Sequence, residues 1–263
     1  MIIYCEEEIS SIRKSNQIVA KILAELKRII APGIQTKELD EFAEARVREM
    51  NAIPAFKGYR GYPATLCTSI NEEIVHGIPS SRRLREGDII SLDFGVLYEG
   101  YYGDAAVTYP VGEITPKAEK LVKAAEETFF RGLEQMKPGK RISDISHAIQ
   151  SYTESQGFSV IRAFVGHGIG LSLHEEPQVP NFGSPGRGPK LKSGMVLAIE
   201  PMIAMGDWDV EILDDNWTAI TRDRSLSAHY EHTVAITEEG AEILSLLEVE
   251  KKRAPYLKEN RYA

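Results

Sequence analysis

The chain is predicted to be an α+β protein built by internal duplication, and three observations carry that expectation. A ten-position phrase of Leu, basic, any, Gly, any, aliphatic, aliphatic, any, aliphatic, acid runs from Leu84 to Asp93 and again from Leu191 to Glu200. Each copy follows the same order of helical pattern, Pro-Gly stop, second helical pattern and loop. Each copy is also followed by a second acid on a β-prone run, Asp104 in Asp104-Ala-Ala-Val107 and Glu231 in Glu231-His-Thr-Val234. Helices grouped and strands grouped within each half is the α+β arrangement, and its recurrence marks a duplicated unit.

The elements follow in order. Ile9, Ile12, Val19, Ile22, Leu23, Leu26 and Ile30 fall near one face of a helix over residues 6–31, which stops at Pro32-Gly33. Thr36 is placed to cap a second helix through Leu39, Phe42, Ala43, Val47 and Met50. A loop marked by Pro54, Gly58, Gly61 and Pro63 comes next. The strand ending in Asp93 then leads to a turn near Tyr98-Glu99-Gly100, and a hairpin centred there would set Asp93 directly opposite Asp104. In the second half, Leu121, Ala125, Phe129, Leu133 and Met136 predict a helix over 117–136, closed by Pro138-Gly139. Ser143 opens another through Ile145, Ile149 and Tyr152, and Ala163-Phe164 echoes Ala55-Phe56. One domain over residues 1–263 is expected, with halves of about 1–115 and 116–263 facing each other across a shared sheet.

Composition narrows the function. At 263 residues and 43% hydrophobic content the chain can bury a substantial core. Its 31 basic and 39 acidic residues leave a net charge of -8 without a long basic run, which argues against nucleic acid as the main ligand. Cys5 and Cys67 are too few for a disulfide framework, and the start Met1-Ile-Ile-Tyr-Cys-Glu-Glu-Glu lacks a signal core. No apolar stretch reaches the ~18 residues of a membrane span, so a cytoplasmic protein is expected. The basic tail around Lys251 and Lys258 reads as a solvated end.

Chemistry concentrates on the acids. Asp93, Asp104, Glu200 and Glu231 are carried by otherwise apolar strands, where carboxylates lose hydration and repel one another unless something positive sits among them. A metal cluster is the simplest answer. His167 lies between glycines in Gly166-His167-Gly168-Ile169-Gly170, where a ligand can approach closely, and His174 follows in Leu173-His174-Glu175-Glu176-Pro177. One imidazole with four carboxylates suits Mn, Fe, Co or Zn, and bridging carboxylates favour two ions. The glycine pattern at 166–171 fails the dinucleotide-binding test because position 171 is Leu.

The ordered set Thr68-Ser-Ile-Asn-Glu-Glu-Ile-Val-His76-Gly-Ile-Pro79, Asp93-Phe-Gly, Gly103-Asp104, Gly166-His-Gly-Ile-Gly170, His174-Glu-Glu-Pro177, Ala198-Ile-Glu-Pro201 and Glu231-His-Thr233 resembles the type I methionine aminopeptidases. These are metallopeptidases of the two-halved "pita-bread" fold, and the resemblance covers nearly the whole chain. It implies Asp93, Asp104, His167, Glu200 and Glu231 as ligands of two divalent cations, with Asp104 and Glu231 bridging. It implies Glu200 as the group that moves the proton, His174 near the scissile carbonyl and His76 near the scissile amide nitrogen.

Tyr59, Tyr62, Cys67 and Trp217 match side-chain-pocket positions, Phe56 stands where a smaller residue is common, and Leu173 where an aromatic is common. The implied reaction is hydrolysis of N-terminal methionine by a metal-bridging hydroxide, preferably before a small second residue. The implied partners are nascent N-terminal segments, with room for transient ribosome contact, and the implied state is a monomer. A proline-specific peptidase would share the ligands but usually carries an extra N-terminal domain. A peptide-binding scaffold without activity would usually have lost ligands that this chain keeps.

Overall fold

The computed structural model describes residues 1–247. The basic tail around Lys251 and Lys258 lies outside the described residues. Helix α1 (Glu6–Ile29) opens on three acids and closes on Lys27 and Arg28, matching charge to the helix ends. Its buried stripe includes Ile12, Val19, Ile22 and Leu26. Helix α2 (Thr36–Glu49) departs from expectation at its cap, which is Gln35 rather than Thr36. The Thr36 hydroxyl instead exchanges hydrogen bonds with the Ser80 backbone, donating to its carbonyl at 3.1 Å and accepting its N–H at 2.8 Å. The 80–84 segment already hydrogen-bonds to the backbone of residues 33–37, which places Ser80 within reach of this buried hydroxyl.

Short strand β1 (Ile53–Pro54) is followed by β2 (Leu66–Ile70), β3 (Glu73–Val75), β4 (Ile89–Tyr98) and β5 (Tyr101–Pro110). The second half opens with α3 (Pro116–Leu133), whose Thr115 cap accepts the Ala118 N–H at 3.2 Å, and α4 (Ile142–Ser155). Then come β6 (Ser159–Val160), β7 (Val165–Gly168), β8 (Glu175–Pro180), β9 (Val196–Ile199), β10 (Met202–Ala204), β11 (Val210–Ile212), β12 (Ala219–Thr221), β13 (Ser227–Thr237) and β14 (Gly240–Ile243). The order of helix pair then strands thus occurs twice.

The main sheet runs β1-β4-β5-β13-β9-β7-β8, all antiparallel neighbours, and the halves join where β5 pairs with β13. Strand alternation assigns its two faces. Ile90, Leu92, Phe94 and Val96 on β4 pack into the core of α1 and α2. Leu197, Ile199, Val234 and Ile236 pack with Phe129, Ile145 and Ile149 of α3 and α4. The intervening residues face away from the helices, and that second face carries the acids.

The β4–β5 hairpin corrects the expected register. Tyr98 pairs with Tyr101 across a two-residue turn, so Asp93 faces Ala106 and Asp104 faces Gly95. Glu99 and Gly100 both adopt positive φ, 49° and 85°, the backbone of a tight primed turn that matches strand twist. A turn centred one residue earlier, between Tyr98 and Glu99, would have set the acids opposite each other. The observed one makes them diagonal neighbours on the same face, which lessens their repulsion while keeping them close.

Candidate metal centre and substrate cleft

Strand register alone brings the acids together. Cys67, Asp93, Ala106 and Glu231 lie in one row across β2, β4, β5 and β13. Gly95 and Asp104 begin the adjacent row, which continues through Thr233, Ala198 and His167. The Thr233 hydroxyl ties the two halves at that point by donating to the Asp104 carbonyl at 2.8 Å. Glu200 lies two residues past Ala198, on the same face, just beyond the end of β9. Ala106 and Ala198 between the donors are small residues that leave room above the sheet, while Phe56 packs over Gly95.

The donors converge into one buried cluster. Ligand atoms of Asp104, His167 and Glu231 lie within 4.8 Å of one another, and Glu200 Oε1 is 3.4 Å from His167 Nε2. The Asp93, Asp104 and Glu231 carboxylates each have one buried oxygen without a hydrogen-bond partner among the described residues. The His167 Nδ1–H donates to the Gly168 carbonyl at 2.9 Å, which fixes the tautomer and leaves the Nε2 lone pair facing the acids.

Burial dominates the titration of every member. It pushes Asp93 up to about 7. It holds Asp104 far above the usual carboxylate range, helped by the charges of Glu231 and Asp93. Glu200 is raised by burial and by Asp93 and Asp104, and Glu231 by burial and by Glu200 and Asp93. The His167 imidazole falls to about 4 because burial disfavours its charged form. Orphaned carboxylate oxygens, mutual repulsion and a neutral imidazole with an inward lone pair are the environment that divalent cations reverse. The residues fit a metal centre, and the oxygen-rich set with one nitrogen suits Mn, Fe, Co or Zn.

A cleft of about 150 Å³ opens onto this cluster, lined by all five donors and by Phe56, Tyr59, Tyr62, Cys67, His76, His174 and Trp217. Cys67 is buried beside Asp93, and burial raises its thiol so that it stays protonated. The Tyr62 hydroxyl donates to the Leu66 and Gly77 carbonyls at 3.2 and 3.0 Å, and its ring meets Trp217 edge-on at 5.1 Å. Phe56 lies over Gly95, where a Cβ would come within 2.7 Å of its ring. His76 adopts a φ of 62°, and its ring meets Phe164 and Trp217 edge-on at 5.5 and 6.1 Å. His174 is exposed at the mouth, its Nδ1 2.9 Å from the Tyr59 hydroxyl and its ring 4.3 Å from that of His167.

Residues 10–238 match the model of metallopeptidase family M24. The chain is 54% identical over 238 residues to methionine aminopeptidase 1 of Bacillus subtilis, an alignment that spans 90% of this chain and 96% of that protein. The chain belongs to metallopeptidase family M24, among the methionine aminopeptidases. The crystal structure of methionine aminopeptidase from Rickettsia prowazekii superposes with a TM-score of 0.93 at 38% identity, covering 94% of this aminopeptidase and 100% of that chain. The prolidase of Pyrococcus furiosus is more distant, at 27% identity and a TM-score of 0.76, and this chain spans 66% of it. The two differ in length as well as in identity.

Every residue the sequence nominated lines this one cleft. Sequence reasoning did not nominate Arg60, Val75 or Phe164. Arg60 sits in a tight 3-10 turn at a φ of 50°, over the Tyr59 ring at 5.4 Å, and a loop residue of that kind carries no periodic signal. His229 was also missed: fully buried, its Nε2 lies 3.7 Å from Glu231 Oε2. It looks from sequence like any histidine of an apolar strand.

Proposed function

We propose that this aminopeptidase releases methionine from free peptide N-termini, preferably before a small second residue, with two divalent cations held by Asp93, Asp104, His167, Glu200 and Glu231. The observation that supports this reading is that the clustered carboxylates and His167 share one cleft with an aromatic lining. When bound, the cations would polarise the scissile carbonyl and lower the pKa of a water from 15.7 toward ~7.

The chain's own groups would do the rest. Glu200 lies at the edge of the cluster beside His167 Nε2, where a carboxylate oxygen can take a proton from the attacking water and return it to the leaving amine. General acid-base help of this sort contributes ~10²–10⁴-fold. With Nδ1 engaged by the Tyr59 hydroxyl, His174 has Nε2 left to hold the scissile carbonyl oxygen. His76 would face the scissile amide nitrogen, and burial lowers its pKa so that it enters the reaction neutral.

Phe56, Tyr59, Tyr62, Cys67 and Trp217 would enclose the methionine side chain, whose flexible thioether packs well on aromatic faces. The free α-amino group, the cation of a peptide's first residue, suits the carboxylate-rich end of the cleft. The natural substrates would be nascent N-terminal segments met in the cytoplasm by a monomer, with transient contact to the ribosome. Among the described residues no helix is long and apolar enough to cross a membrane.

Release of methionine from Met-Ala-Ser tests the proposal. Cleavage is expected with added Mn or Co, loss of cleavage with excess chelator, and a much slower reaction on Met-Leu-Ser. Failure to cleave the first peptide with either metal present, or indifference to chelator, would overturn it.

A further inference from the structure

The loop that carries His174 belongs to the second half, yet tyrosines of the first half fasten it. Between β7 and β8 the chain passes through Ile169 to His174. Tyr4, ahead of α1, lies under this loop and is 3% exposed. Its phenol O–H donates to the Glu175 carboxylate, 2.8 and 2.9 Å from the two oxygens, and the same phenol oxygen accepts the Leu171 N–H at 3.0 Å. The Tyr4 N–H is itself anchored on the Gly194 carbonyl at 2.8 Å.

Contact with the loop is close. A Cβ at Gly170 would sit 2.1 Å from the Tyr4 phenol oxygen, so the backbone rests directly on the ring edge. The Tyr102 N–H donates to the Gly170 carbonyl at 2.8 Å, and the Ser172 N–H closes the loop onto Glu175 at 2.9 Å. Leu171, Ser172 and His174 are exposed while Leu173 is buried. Ile169, Gly170 and Leu173 are buried, so packing anchors part of the loop, while hydrogen bonds tie its exposed stretch, where Tyr4 joins the residue three before His174 to the residue directly after it.

We propose that Tyr4 is a positioning residue for His174, setting the imidazole against the scissile bond by bridging Leu171 and Glu175. The proposal rests on the reading of His174 as a substrate-facing group. A misplacement of about 1 Å at a reacting centre can cost as much as ~10²-fold in rate, so a partial loss of this brace should be visible in turnover.

The test compares kcat and KM on Met-Ala-Ser for Tyr4→Phe, His174→Ala and the double variant, all metal-loaded, with Tm and metal content measured alongside. Tyr4→Phe is expected to lower kcat about tenfold, with KM and bound metal nearly unchanged. In the His174→Ala background the same change should alter kcat less than about twofold, because groups acting as one unit are not additive. Glu175→Ala cuts the tie from its other end without touching the N-terminal segment; because it also removes the Ser172 N–H bond it should lower kcat at least as much, and the double variant should fall well short of the product of the two losses. Parental kcat in Tyr4→Phe, or losses that multiply in a slow His174→Ala background, would sink this role while leaving that of His174 standing. Full activity in His174→Ala would overturn the role of His174 and this proposal with it.

Discussion

Replacing Asp93 by Asn should stabilise the metal-stripped protein and destabilise the metal-loaded one. Asp93 is 8% exposed, one of its carboxylate oxygens has no partner among the described residues, and burial raises its pKa from 3.8 to about 7. Above pH 7 folding therefore carries an unfavourable charge out of water. A shift of about three units at ~1.36 kcal/mol each sets the gross cost near 4 kcal/mol. Relaxation and water entry in the stripped protein dissipate part of it, so about 2 kcal/mol should be recovered by a neutral amide of the same shape. For a chain of this size that is ~4–8 °C in Tm.

The sign with pH follows from linkage. Below the unfolded pKa the proton is bound in both states and the penalty vanishes; it grows as pH rises and is complete above the folded value near 7. The advantage of Asn should thus be larger at pH 7.5 than at pH 5. Adding Mn reverses the order, because cations take the place of protons and the amide is a poorer ligand. Thermal melts of both proteins at the two pH values, with chelator or with Mn, give the answer. A stripped Asp93→Asn protein that melts below its parent at pH 7.5, or one stabilised by Mn as much as its parent, would refute the reasoning.

Glu200→Gln should keep the fold and lose turnover by at least ~10²-fold, since the amide cannot accept the water proton; single-turnover rates on fully metallated protein check this, and near-normal rates would reassign the base. His76→Ala and His174→Ala should lose rate while retaining bound metal, as both line the cleft without joining the carboxylate cluster. Elemental analysis decides, and metal lost from either variant would make that histidine a ligand.

Much of the molecule was legible in its sequence because periodicity and local chemistry report directly. Helices α1, α3 and α4 follow from apolar spacing and Pro-Gly stops, and the strand bearing Asp93 and the one leading into Glu200 from aliphatic runs followed by an acid. Thr36 misled because a cap and a tertiary hydrogen bond demand the same hydroxyl, and the partner, Ser80, is 44 residues away. The hairpin misled because its register depends on two turn residues at positive φ, one of them Glu99, which has no glycine-like signature.

Sequence by itself determined that acids would be buried on apolar strands and in need of positive charge, since neither burial nor charge depends on register. The ordered motifs added the family. Only the tertiary structure decided how the acids meet: one-residue changes in pairing would turn them to the helix face, and the observed register instead sets all five donors on the other face with small residues between them. It also decided that the second half's loop bearing His174 is tied to Tyr4 and Tyr102 of the first half, and His174 itself to Tyr59. Such contacts join residues far apart in the chain, from Tyr102 with Gly170 to Tyr4 with Glu175, and no local pattern encodes a distance of that kind.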